Sequence, residues 1–146
     1  MTLLEYTLLT GGALAGVLAL ILGFTWLWSW LGSRLYQPPR AAEAIRIVWS
    51  YYGMPMDRCP QVYWVKGRTY TNPFGDERYG ESFTYRNAVQ VAHVPGTDIS
   101  ETALSHELWH KVLAARGMDT PNHEDMGFRP GGMVDGANEA LKAAGL

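Results

Sequence analysis

The residues best suited to chemistry form one motif, His106-Glu107-Leu108-Trp109-His110. On a helix, side chains four positions apart project from the same face, so the imidazoles of His106 and His110 lie about one turn apart. That spacing lets both rings bind one zinc ion at about 2.0–2.1 Å. Glu107 is next to the first ligand and can take a proton from water that attacks a polarised carbonyl. The motif therefore predicts a zinc metallopeptidase, with Zn²⁺ as cofactor and a protein or peptide as substrate.

A third metal ligand has to come from elsewhere in the chain, because a catalytic zinc usually has three protein ligands and one water. His123 is the first candidate, since twelve residues separate it from His110 and it lies just past the expected end of the helix. Glu139 is a second candidate, and the neighbours Glu124 and Asp125 are a third. The sequence leaves these alternatives open.

Residues 106–128 resemble the SprT-like metallopeptidases, a family of zincins. The shared pattern is HExxH, the remainder of a helix, a turn, a third histidine preceded closely by a proline, and an aromatic residue a few positions later. Here it reads HELWH, KVLAARGMDTPN, His123 and then Phe128. The resemblance implies that all three histidines bind zinc and that Glu107 is the catalytic base. It also implies a first helix, a three-stranded sheet, the active-site helix and a short tail.

A weaker resemblance favours a different third ligand. The segment Ala137-Asn138-Glu139-Ala140 is similar to the Asn-Glu segment of thermolysin-like gluzincins. In those enzymes this segment supplies the third ligand, which implies Glu139 here.

The elements that must position the motif can be read from local patterns. Asp98 followed by Glu101 is typical of a capping box and predicts a helix over 99–116. Alternating, β-prone segments predict strands at 61–65, 68–71, 81–85 and 88–94. We expect the second of these to pair with the first across a turn at Lys66-Gly67. Apolar periodicity and composition predict flanking helices at 41–53 and 136–144. We therefore expect an α+β, minimal zincin-like domain made of a helix, a three- to four-stranded sheet, the HExxH helix and a short C-terminal helix.

The N-terminal segment has a different character. Residues 6–33 contain no charged side chain, and a bilayer core needs about 20 apolar residues in a helix. The apolar stretch 8–31 ends in three tryptophans, the last being Trp30, and Arg34 follows. An aromatic belt with a basic flank predicts a retained, single-pass transmembrane helix with the lipid bilayer as a partner, rather than a cleaved signal peptide.

The chain is therefore expected to divide into a tail and transmembrane helix at 1–36, a Pro-rich linker at 37–40 and a zincin-like domain at 41–146. Three arginines follow the apolar segment and no Lys or Arg precedes it. The positive-inside rule then places the C-terminal domain in the cytoplasm and the N-terminus outside. Gly12 and Gly16 have the GxxxG spacing, which predicts a transmembrane helix partner.

Charge and composition narrow the function further. The formal net charge is −2 and there is no basic run, which argues against nucleic acid as a partner. Two alternatives to a metallopeptidase near the membrane remain. One is a non-catalytic structural or assembly protein, for example of a virion or membrane complex, that keeps a zincin fold. The other is a cell-wall peptide hydrolase, which would need the domain on the outer face.

Overall fold

The chain forms two compact units, Met1–Leu35 and Tyr36–Leu146. The second unit contains the HExxH motif and nearly all of the residues whose structure is described. The computed structural model describes residues 16, 17, 20–24, 36–119, 123 and 125–146.

The prediction of a transmembrane helix at 8–31 is wrong. Among the described residues, no helix is both long enough and apolar enough to cross a membrane. The helical residues described there are Gly16, Val17 and 20–24. The predicted bilayer contact and the predicted cytoplasmic placement of the C-terminal domain stay predictions. The rest of 8–31 lies outside the described residues, including Gly12 of the predicted helix–helix contact, and Gly16 has open space where a Cβ would stand.

The second unit is a small α+β fold with a mixed sheet. Its α-helices are α1 (Ala41–Tyr51), α2 (Leu104–Ala115) and α3 (Met133–Ala143). Its strands are β1 (Gln61–Lys66), β2 (Tyr70–Thr71), β3 (Glu77–Arg78), β4 (Gly80–Ser82) and β5 (Ala88–His93). This α+β class agrees with the expectation from the sequence.

The main sheet has the order β1-β5-β4, so β4 is an edge strand of the described sheet. Strands β1 and β5 are parallel, with Gln61 opposite Ala88. Strand β4 runs antiparallel to β5, with Gly80 opposite Val91. Strand β5 is therefore central and is buried at nearly every position, while β4 is available to line a cleft.

The predicted pairing of residues 68–71 with β1 is wrong. Strand β2 instead pairs with β3 in a separate antiparallel hairpin. Its turn is held by Asn72, whose Oδ1 accepts hydrogen bonds from the backbone N–H groups of Phe74 and Asp76. This side-chain turn closes the hairpin locally, so the strand that pairs with β1 comes from farther along the chain.

Helix α2 begins later than the sequence suggested. A 3₁₀ turn over Ile99–Glu101 comes first, and the side chain of Asp98 makes no capping hydrogen bond. The backbone N–H of Leu104 donates to Oγ1 of Thr102 instead. The HExxH motif therefore starts in the first turn of α2.

The core holds α2 in a fixed rotation about its axis. Leu108 and Val112 are fully buried on one side of the helix, and each such side chain contributes about 1.5–3 kcal/mol by leaving water. Tyr52, at the end of α1, donates a hydrogen bond to the backbone oxygen of Ser105. With the apolar side of α2 in the core, its histidines face the cleft beside β4.

Candidate functional site

Three histidine rings converge beside α2. His123 Nε2 lies 3.1 Å from Nε2 of His106 and 3.1 Å from Nε2 of His110. One ring nitrogen from each of the three lies within 4.8 Å of the other two. A tetrahedral ion with bonds of about 2.0–2.1 Å separates its ligand atoms by about 3.3 Å. The separations of His123 from the other two rings are thus close to those of a metal site.

The surroundings of His110 and His106 also suit the binding of a metal cation. Nδ1 of His110 lies 2.7 Å from Oδ1 of Asp119, which favours the tautomer with its proton on Nδ1 and a free lone pair on Nε2. Burial, together with the neighbouring His110 and His123, lowers the pKa of His106 to about 4. His106 is therefore neutral at pH 7, as a metal ligand must be. Imidazole nitrogens suit zinc, copper, iron and nickel.

Phe128 lies against all three histidines. The distances from its ring centroid are 4.8 Å to His106, 4.7 Å to His110 and 4.8 Å to His123. His123 itself has a left-handed backbone conformation, with φ of 52°. This conformation is uncommon for a residue other than glycine. The aromatic ring covers one side of the triad and leaves the other side to the cleft.

The alternative third ligands do not belong to the described cluster. Asp125 uses Oδ1 to accept hydrogen bonds from Nε1 of Trp109 and the backbone N–H of Gly127. Glu139 is exposed and pairs with Lys142 at 2.7 Å. Glu124 lies outside the described residues. Among the residues that are described, His123 is the one that joins the two histidines of the motif.

Glu107 is buried beside the triad, with 7% of its surface exposed. Burial, with smaller contributions from the nearby carboxylates of Glu81 and Asp119, raises its pKa to about 8. A divalent cation held by the histidines would favour the ionised form instead. A Cβ added at Gly80 of β4 would stand 2.7 Å from both Cγ and Oε1 of Glu107. The absence of a side chain at Gly80 is thus what lets the carboxylate pack against the edge strand.

A cleft of about 570 Å³ adjoins these groups. One wall carries the three histidines, Glu107 and Asp119, and the other comes from β3, β4 and the loop that follows. The residues of this second wall are Arg78, Gly80, Glu81, Ser82 and Thr84. Arg78 donates a hydrogen bond to Oδ2 of Asp76 at 3.0 Å. The cleft thus combines a three-nitrogen donor set, a buried carboxylate and an edge strand.

A buried lysine holds the loop between β4 and β5. Nζ of Lys111, on α2, donates to the backbone oxygen of Phe83 and, at 2.9 Å, to that of Arg86. Burial lowers the pKa of Lys111. This contact fixes one wall of the cleft to the helix that supplies two of the histidines.

Three other side chains with groups suited to chemistry, those of His93, Tyr85 and Tyr70, lie in different surroundings. Both ring nitrogens of His93 are in contact with protein groups, the Tyr36 hydroxyl at 2.6 Å and the Thr97 backbone oxygen at 3.1 Å, as expected of a structural histidine. Tyr85 is fully exposed. The Tyr70 hydroxyl is buried without a hydrogen-bond partner among the described residues, and burial raises its pKa.

Sequence reasoning missed Asp119, Lys111 and Gly80 as parts of the site. Lys111 lies three positions after Leu108, on the apolar side of the helix; this was an available signal, because a buried charge needs partners. An aspartate just after the helix was a weaker signal for Asp119. Nothing local distinguishes Gly80 from a glycine in a turn.

Comparison with known proteins supplies no function for this chain, so a function has to be argued from the residues of the candidate site. No protein-family model, curated protein or solved structure matches the chain. The resemblance to the SprT-like metallopeptidases accordingly rests on the motif and on the residues that follow it.

Proposed function

We propose that this protein is a zinc-dependent metallopeptidase in which His106, His110 and His123 bind the metal and Glu107 is the general base. The observation that carries the proposal is the convergence of three imidazole nitrogens beside a buried carboxylate. Three nitrogen ligands with one position left open are typical of catalytic rather than structural zinc sites. When bound, zinc supplies a Lewis acid that polarises a carbonyl oxygen and acidifies water.

The residues of the chain supply the remaining requirements. Glu107 is next to His106 in sequence and faces the same cleft. Because its environment is largely dry, its carboxylate is a stronger base than it would be in water. Glu107 accepts the proton of the attacking water and delivers it to the leaving amine. Asp119 keeps Nε2 of His110 directed at the metal.

The edge strand supports an extended peptide as the substrate. Strand β4 pairs with β5 on one side only within the described sheet, so its outer edge can accept another strand through backbone hydrogen bonds. Gly80 keeps that edge close to Glu107. A peptide added there would carry its backbone carbonyl past the histidines, which favours peptide hydrolysis over chemistry on a small soluble molecule.

The proposal is tested by hydrolysis of a mixed peptide library by the zinc-loaded chain, with Glu107→Gln beside it. We expect the variant to keep its zinc and to lose about 10²–10⁴-fold in kcat, the usual contribution of a general base. Glu139→Gln is the matched control, because this exposed carboxylate pairs with Lys142 and does not belong to the histidine cluster of the described residues. Equal activity of Glu107→Gln and wild type, or no hydrolysis by the zinc-loaded wild type, would refute the proposal.

A further inference from the structure

We infer that Asp125 is a positioning residue of the metal centre, whose carboxylate holds the loop carrying His123 in place before a metal binds. The inference rests on the metal site of the proposed function. It does not depend on which substrate is hydrolysed, because its consequence is for metal affinity. Among the described residues Asp125 does not belong to the cluster of metal-binding nitrogens, and its effect passes through the hydrogen bonds that it accepts from Trp109 and Gly127.

One oxygen of Asp125 joins the two parts of the site. It accepts a hydrogen bond of 3.0 Å from Nε1 of Trp109 and one of 2.7 Å from the backbone N–H of Gly127. Trp109 is 4% exposed and precedes His110 on α2. Asp125 follows His123 by two positions. The carboxylate therefore connects the helix that supplies two ligands to the segment that supplies the third.

The segment after Asp125 lies tightly against the same tryptophan. A Cβ at Gly127 would overlap the Trp109 ring, so only glycine permits this approach. The next residue, Phe128, then contacts all three histidine rings. The hydrogen bonds of Asp125 thus fix the Met126–Phe128 turn and, through it, the aromatic ring beneath the triad.

His123 needs such support. It is exposed and has a positive φ, a conformation that a free loop seldom populates. If the loop were mobile, metal binding would have to order it and would be weakened by the loss of conformational entropy. Holding the loop in advance removes that loss. Substitutions around a metal site that disturb its ligands typically weaken metal binding by about tenfold to a hundredfold.

The test is the zinc dissociation constant of the full chain, measured by competition with a chromophoric chelator. We expect Asp125→Ala to weaken binding by about tenfold to a hundredfold. Trp109→Phe removes the N–H donor and keeps an aromatic ring, so it should weaken binding in the same direction. Asp125→Asn keeps an oxygen acceptor for both donors and should bind nearly as tightly as wild type. In the Asp125→Ala background, Trp109→Phe should add little, since the two changes remove one shared contact.

Unchanged affinity in Asp125→Ala, or in Trp109→Phe if the alanine variant does not fold, would overturn the inference. Equal weakening in Asp125→Asn would do the same, because the acceptor would then be irrelevant. A wild-type chain that binds no zinc would overturn both the inference and the proposed function. A chain that binds zinc, responds to Asp125→Ala and hydrolyses no peptide would refute the proposed function alone.

Discussion

Replacing Gly80 with alanine should disturb the catalytic base without disturbing the metal. The added Cβ would stand 2.7 Å from Cγ and Oε1 of Glu107 and 2.8 Å from Cβ of Ala103. Ordinary contact begins near 3.4 Å, so Glu107 or strand β4 has to move by about 0.7 Å. Misplacing a catalytic group by about 1 Å can reduce the rate about a hundredfold. We therefore expect kcat to fall by about tenfold to a hundredfold, or about 1.4–2.7 kcal/mol in activation free energy.

The assay compares kcat for peptide hydrolysis and the zinc dissociation constant in the same preparation. We expect zinc affinity to stay near that of wild type, since the added methyl meets Glu107 and Ala103 rather than a histidine. Gly16→Ala is the matched control, because a Cβ at this helical glycine meets no atom of the described residues within 4 Å. In a Glu107→Gln background, Gly80→Ala should lower kcat little further. A folded, zinc-loaded Gly80→Ala variant with wild-type kcat would contradict this reasoning.

Three further expectations concern other groups around the cleft. Asp119→Ala should weaken zinc binding by about tenfold to a hundredfold, because the His110 ring loses the carboxylate that fixes its orientation; unchanged affinity in a chelator competition would contradict this. Lys111→Met removes the lysine donor from the backbone oxygens of Phe83 and Arg86, of which the latter still accepts from the Ala88 N–H. It should cost about 1–3 kcal/mol in thermal or urea unfolding, whereas Lys142→Met at an exposed site should cost little. The zinc-free protein should lose stability as the pH falls from about 6.5 towards 4, because the folded pKa of His106 lies below its unfolded value. Urea unfolding across that range should show a smaller loss in His106→Gln, and an equal loss would refute the assignment.

The local part of the site was predictable because it depends on short-range periodicity. Two histidines four apart on a helix share a face in any fold, and α2 does contain both. Gly117 directly follows the helix predicted over 99–116, and it has the left-handed φ of 68° that is typical of a glycine at a helix C-terminus. His123 was named from its spacing, and it is the residue that joins His106 and His110.

The contacts between residues far apart in the chain could not be predicted from the sequence. The approach of Gly80 to Glu107 joins an edge strand to a helix, and no local pattern records such a distance. Strand pairing was mistaken for the same reason: residues 68–71 have strand composition, but the Asn72 turn closes them onto β3 rather than β1. The predicted start of α2 relied on a capping pattern at Asp98 that forms a 3₁₀ turn instead.

The predicted spanning helix shows what amino-acid composition cannot establish by itself. An uncharged run of sufficient length is necessary for a transmembrane helix, but hydropathy does not establish that the residues form one uninterrupted helix. Within the described residues no such helix is present. The catalytic proposal is independent of this segment, because every residue of the candidate site lies in the unit Tyr36–Leu146.

The most direct test of the central claim is the zinc content of the purified chain, with His123→Ala and Glu139→Ala measured beside wild type. We expect one zinc per chain in the wild type, lost in His123→Ala and kept in Glu139→Ala. The reason is that Nε2 of His123 lies 3.1 Å from Nε2 of both histidines of the motif. Full zinc content in His123→Ala, loss only in Glu139→Ala, or a folded wild type without zinc would contradict the three-histidine site.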